Sequence, residues 1–167
     1  MATSPQVLGG LDSTLGDDDA AQSVRERLTS LLPDPGETLA FEHNGIEVAF
    51  LRIPHAGNRP TIQNLGHLIQ FEGLTILHIG DADGSGGVLE PYGLKDVHID
   101  VALLPYWLWS SAAGQELVQT HLAADTLVAI HIPPREVATV AESLSTADGG
   151  GVHVFRESLE SLRFDGN

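Results

Sequence analysis

Residues 53–83, IPHAGNRPTIQNLGHLIQFEGLTILHIGDAD, decide how this chain folds. Two apolar runs, Leu65 to Phe71 and Leu74 to Ile79, flank the pair Glu72-Gly73, and so short a connection containing Gly closes a β-hairpin. His55 stands before this strand pair and Asp81 just after it. Upstream, Thr38 to Glu42 and Ile46 to Ile53 flank Asn44-Gly45, the strongest short-range hairpin signal in the sequence. Farther back, Pro33, Pro35 and Gly36 end a segment, Arg27 to Leu32, that reads equally as helix or strand. The acidic triplet Asp17, Asp18 and Asp19 suits the positive end of a helix that includes Ala20 to Glu26, and Ser4 to Leu15 reads as another short helix.

Downstream of Asp83 the pattern changes from hairpins to strands alternating with helices. Gly84 to Tyr92 is a Gly-rich loop, Ile99 to Pro105 a buried strand and Ala113 to Leu122 a helix. Leu127 to Ile132 is a further apolar strand stopped by Pro133 and Pro134. Glu136 to Leu144 then reads as a helix, and Gly149-Gly150-Gly151 leads into a last strand, Val152 to Arg156. Hairpins followed by alternating strands and helices predict a layered α/β (α+β) arrangement with a mixed sheet, and no linker or repeat divides residues 1–167 into more than one domain.

Composition narrows the function classes. Eight Lys plus Arg against 23 Asp plus Glu give a formal charge of −15, a field that repels phosphate backbones and anionic membranes. Nucleic acid and membrane are therefore not expected as partners. The absence of cysteine removes disulfides, thiolate nucleophiles and Cys-rich zinc sites together. No basic start leads into an apolar stretch at the N-terminus, and no run approaches the ~18 apolar residues of a membrane span, so the expected compartment is the cytoplasm.

Against that background three residues carry chemistry. His55, Asp81 and His131 (in LVAIHIPP) each fall at or just past the end of an apolar run, where the sheet fixes the backbone and the side chain reaches a cleft. Two imidazoles and a carboxylate suit a borderline divalent cation such as zinc. Taken singly, a His near Pro is an ordinary loop residue and an Asp after Gly an ordinary turn former. His78, three residues before Asp81, is placed to orient a ligand from behind, although packing within the sheet explains it as well. The stretch Asp81-Ala-Asp83-Gly-Ser85-Gly86 resembles the start of a calcium loop but has Tyr92 where the last ligand belongs. No G-x-S-x-G elbow is present, and Gly84 to Gly87 is wrongly spaced for a phosphate-binding loop.

The strand pair NLGHLIQFEGLTILHIGD ending in Gly-Asp, the histidine before it, the later histidine at a strand end, and the stretches DVALLPYW and AIHIPPRE together resemble the metallo-β-lactamase superfamily of metal-dependent hydrolases. The resemblance runs from about Ser4 to the C-terminus and matches the second half of that fold. It implies a partial four-layer αββα sandwich and one or two metal ions, zinc or another divalent cation. It also implies a metal-bound hydroxide that attacks an ester, amide or phosphoester of a small-molecule substrate. On that template His55 completes one metal position, Asp81 bridges two, His131 serves the second, and Asp83 orients a ligand or a water.

The departure from the family is in the first half. The family opens its site with H-x-H-x-D-H, whereas the eight histidines here, at 43, 55, 67, 78, 98, 121, 131 and 153, come no closer than ten residues apart. Half of the expected ligands are therefore absent, and structural and catalytic zinc sites ordinarily use three or four protein ligands. The expectation is a hydrolase domain incomplete or inactive as this chain alone, beginning as the interior of a longer family member. The rival expectations are a homodimer, a chain completed by a complementing N-terminal half, and a non-catalytic interaction module. Each of these covers the face that half a sandwich leaves open.

Overall fold

A computed structural model of the chain describes residues 2–3, 10, 14–145 and 151–164. Its centre is a seven-stranded mixed sheet whose spatial order is the order of the chain. Strands β3 (Thr38–His43), β4 (Ile46–Arg52), β5 (Leu65–Phe71) and β6 (Leu74–His78) form an antiparallel meander. To its last strand are added β7 (Ile99–Pro105), β8 (Ala124–Ile130) and the short β9 (Val152–His153), all parallel. Two-residue strands β1 (Ala2–Thr3) and β2 (Thr29–Ser30) pair separately.

Both hairpins turn where the sequence places them, because the turn pairs accept the left-handed backbone that a two-residue connection needs. Asn44 and Gly45 have φ of 52° and 78°, and Glu72 and Gly73 have 49° and 82°. Helix α1 (Asp19–Glu26) begins under the acidic triplet: the Asp18 carboxylate accepts the Ala21 N–H at 2.8 Å, satisfying one of the unpaired donors of the first turn. The segment after it becomes a turn and then β2. The helix expected over Ser4 to Leu15 lies outside the described residues except at 10, 14 and 15, and Gly149 and Gly150 also lie outside them.

Parallel strands need crossovers, and these supply the helical layer. Between β7 and β8 runs α2 (Ala112–His121), capped by Ser111, whose hydroxyl accepts the Gly114 N–H. Between β8 and β9 runs α3 (Val137–Ser145). Leu117, Val118 and Leu122 pack with Leu94 and Leu108 onto Leu51, Leu77, Ala102 and Leu104, all buried. Helix α3 continues the layer by setting Ala141 and Leu144 against Ala129 and Val154. The opposite face holds Phe50, Val101 and Val128, buried, with Val48, Ile69, Ile76 and Leu103 half-buried. Apolar side chains on both faces suit a sheet shielded on both sides.

Most boundaries fall within one residue of the pattern reading, and the larger departures are in the second half of the sheet. Strand β8 starts at Ala124, three residues before its apolar run, because Ile99↔Ala124 and Val101↔Thr126 pairing extends it along β7. Strand β9 ends at His153 rather than Arg156. The aromatic stretch is a 3-10 helix, Tyr106–Ser110, that reverses the chain into α2. No helix among the described residues is long and apolar enough to cross a membrane.

Candidate functional site

The site is assembled at one end of the sheet by the exits of β4, β6 and β8. Leaving β4, the chain runs through Ile53 and Pro54 and forms an isolated antiparallel bridge, His55 to Ala82, with the chain leaving β6. The Ala56 N–H donates to the Asp81 carbonyl at 2.8 Å and the Asp83 N–H to the Pro54 carbonyl at 2.9 Å. Two strand exits are thereby tied together by backbone bonds alone, which fixes where His55 stands relative to Asp81.

A second tie comes from Asn64, the only buried polar residue among those described. Its amide donates to the Ile79 carbonyl at 3.1 Å and accepts the Asp81 N–H at 2.9 Å. Between these two partners sits Gly80 with φ of 60°, and a Cβ there would overlap the Asn64 amide oxygen. The dipeptide Gly-Asp is thus a steric requirement: the chain turns in the left-handed region against a side chain that leaves no room for another. From the end of β8, His131 comes to the same place with φ of 62°, a conformation uncommon for a residue other than Gly.

These three exits bring the expected residues together. Asp81 Oδ2 lies 3.3 Å from His55 Nε2, and Asp81 Oδ1 lies 2.8 Å from His131 Nε2. His55 is largely buried, with its side chain 12% exposed, and its Nδ1 stands 2.6 Å from the Ala56 carbonyl. A carbonyl only accepts, so Nδ1 carries a proton and donates to Ala56, and Nε2 is the nitrogen turned toward the carboxylate. On the other side, Asp81 Oδ1 is shielded from solvent and has no hydrogen-bond donor, because His131 Nε2 approaches it out of hydrogen-bonding alignment. Trp107 backs this arrangement: its ring lies 5.7 Å from that of His131, and its Nε1–H donates to the Ala82 carbonyl at 3.0 Å.

This donor set fits a divalent cation. Both histidines present Nε2, one with its Nδ1 held by a carbonyl in the manner of a metal ligand, and the solvent-shielded Oδ1 lacks the donor a carboxylate ordinarily finds. Two ligand atoms of a tetrahedral zinc stand about 3.3 Å apart, comparable to the spacing of His55 and Asp81. The ligand atoms of all three residues do not converge within 4.8 Å of one another. Each carboxylate oxygen faces its own imidazole, so the geometry is that of two half-sites sharing Asp81.

The two supporting residues are placed differently. His78 uses Nδ1 to accept the Gly80 N–H at 3.2 Å and hydrogen-bonds none of the three side chains. Its pKa is lowered by burial and by the neighbouring His131, against a smaller upward pull from Asp81. Asp83 accepts the Ser85 N–H at 2.8 Å, closing a local turn, and lines a cavity beside His55.

Sequence reasoning passed over Asn64, although the hairpin register signals it. His67 pairs with His78, so counting outward sets Asn64 opposite Asp81. It also passed over His98, Asp100 and Asp125, whose ligand atoms do lie within 4.8 Å of one another at the opposite end of the sheet. His98 Nε2 is 3.5 Å from Asp100 and 3.7 Å from Asp125, and the Thr75 N–H anchors Asp100 at 2.7 Å. Alternation along β7 signals the pairing of His98 with Asp100, but only the β7–β8 register brings in Asp125. No protein-family model matches the chain, and no curated protein matches it.

Proposed function

We propose that this chain is the C-terminal half of a metallo-β-lactamase-type αββα sandwich from a metal-dependent hydrolase, with His55, Asp81 and His131 as its metal ligands. The observation that carries the reading is the division of Asp81: one oxygen faces His55 and the other His131, as a carboxylate shared between two cation positions would. The strand order supports it too, since a meander followed by crossovers leaves an apolar sheet face opposite the helices for a second half-sandwich to cover. A zinc or manganese ion, were it held by His55, Asp81 and His131, would supply a Lewis acid and a nucleophile available at neutral pH. The chain's own contribution is to orient Nε2 of His55 through the Nδ1 bond to Ala56, to present both oxygens of Asp81, and to cover one side of the site with Trp107. Without H-x-H-x-D-H each position lacks ligands, so full activity belongs to a complex with a complementing half.

Metal analysis and a hydrolase assay on the purified chain test this. Stoichiometric zinc or manganese, lost in Asp81→Asn and retained in His98→Ala, is the expected result, with any turnover of a generic phosphodiester or ester lost alongside it. A chain that binds no metal in the Asp81-dependent manner overturns the reading. A non-catalytic module that pairs through the apolar sheet face would then account for the same fold.

A further inference from the structure

The cavity beside His55 has a volume of about 310 Å³ and is lined by Arg52 and Arg59 as well as by Asp83. That is the small end of the range for ligand pockets. In a chain with eight basic residues and 23 acidic ones, a guanidinium has many carboxylates available to it. Arg135 has one, bonding Glu136. Neither Arg52 nor Arg59 forms an ion pair with a carboxylate among the described residues. Asp83, the acid among the residues lining the cavity, has an oxygen engaged by the Ser85 N–H.

We infer that this cavity is an oxyanion subsite: Arg52 and Arg59 take the phosphate or carboxylate group of a small-molecule substrate and set the rest of it against the His55–Asp81–His131 centre. Arg is suited to this because its planar fork gives two parallel hydrogen bonds to such a group. Arg52 is half-buried at the end of β4, and Arg59 is exposed on the loop that follows His55. The overall charge of −15 works against long polyanions, so the subsite selects a small acid over nucleic acid. The assignment of the neighbouring centre as the place of bond cleavage rests on the proposed hydrolase reading. Anion binding by the two arginines does not.

The two are separated by titrating the metal-stripped full chain with inorganic phosphate and, in a second arm, with acetate, by calorimetry. Saturable binding of at least one is expected, weakened about tenfold in Arg52→Gln and in Arg59→Gln, since each removes a charge-assisted contact. Asp81→Asn should bind the anion as the unsubstituted chain does. The preferred arm identifies the acid group. Binding in Arg52→Gln and in Arg59→Gln equal to that of the unsubstituted chain, or no saturable binding of either anion, overturns the subsite. Anion binding by an unsubstituted chain that takes up neither zinc nor manganese overturns the hydrolase assignment alone.

Discussion

At the scale of single residues, the site is held by side-chain bonds to the backbone and by backbone conformation. Asn64 satisfies the Ile79 carbonyl and the Asp81 N–H from a buried position. Asn64→Ala strands both, and with about 1–3 kcal/mol for each buried group left unpaired we expect a loss of about 2–6 kcal/mol, read as a lower urea midpoint at unchanged slope. His131 stores strain of the opposite kind. At φ of 62° a Cβ costs roughly 1 kcal/mol or more, which Gly avoids. Two variants that both remove the imidazole should therefore differ: His131→Gly is expected to unfold at higher denaturant than His131→Ala, by about 1 kcal/mol. Were alanine the more stable, the left-handed backbone at 131 would be wrong.

At the scale of elements, legibility followed how local the cause was. The two hairpins are readable because Asn44-Gly45 and Glu72-Gly73 carry their own turn chemistry, and β7 is readable because its seven residues form a nearly unbroken apolar run. The polar start of β8 and the brevity of β9 come from pairing with strands distant in sequence, which no window on the chain contains. The same division runs through the site. His55, Asp81 and His131 were marked by strand ends, whereas the Arg52–Arg59 cavity and the Trp107 contact exist only after β4 and β7 are laid beside the loops. Local turn chemistry also yields a test. Glu72 occupies a left-handed position better suited to Asn, so Glu72→Asn should raise stability by about 0.5–1 kcal/mol, measured as an increased midpoint of thermal unfolding.

At the scale of the whole molecule, the sheet carries Phe50, His67, His78, Leu103, Val128 and His153 in one row across six strands. Burial lowers the pKa of His67, with a further push from His78, and burial likewise lowers that of His78. Both pKa values lie below the ordinary 6.5 in the folded state, so the unfolded chain binds more protons as pH falls through that value. Stability is therefore full above about pH 6.5 and is lost as pH falls through the lowered folded values. His67→Gln should make the metal-free chain less sensitive to the step from about pH 7.5 to about pH 5, as read by paired urea titrations. An unchanged pH dependence would remove His67 from the account. The sequential order of the strands has its own meaning for a chain being synthesised. Neighbours in space are neighbours in time, so each strand can join a partner already made, and the two hairpins close early. Asp81 and His55 are then tied together while His131 is still to come, delivered only after β7, α2 and β8 have docked. A cation held between Asp81 and His131 would thus be captured late, and its retention would certify that the crossover half of the sheet is finished.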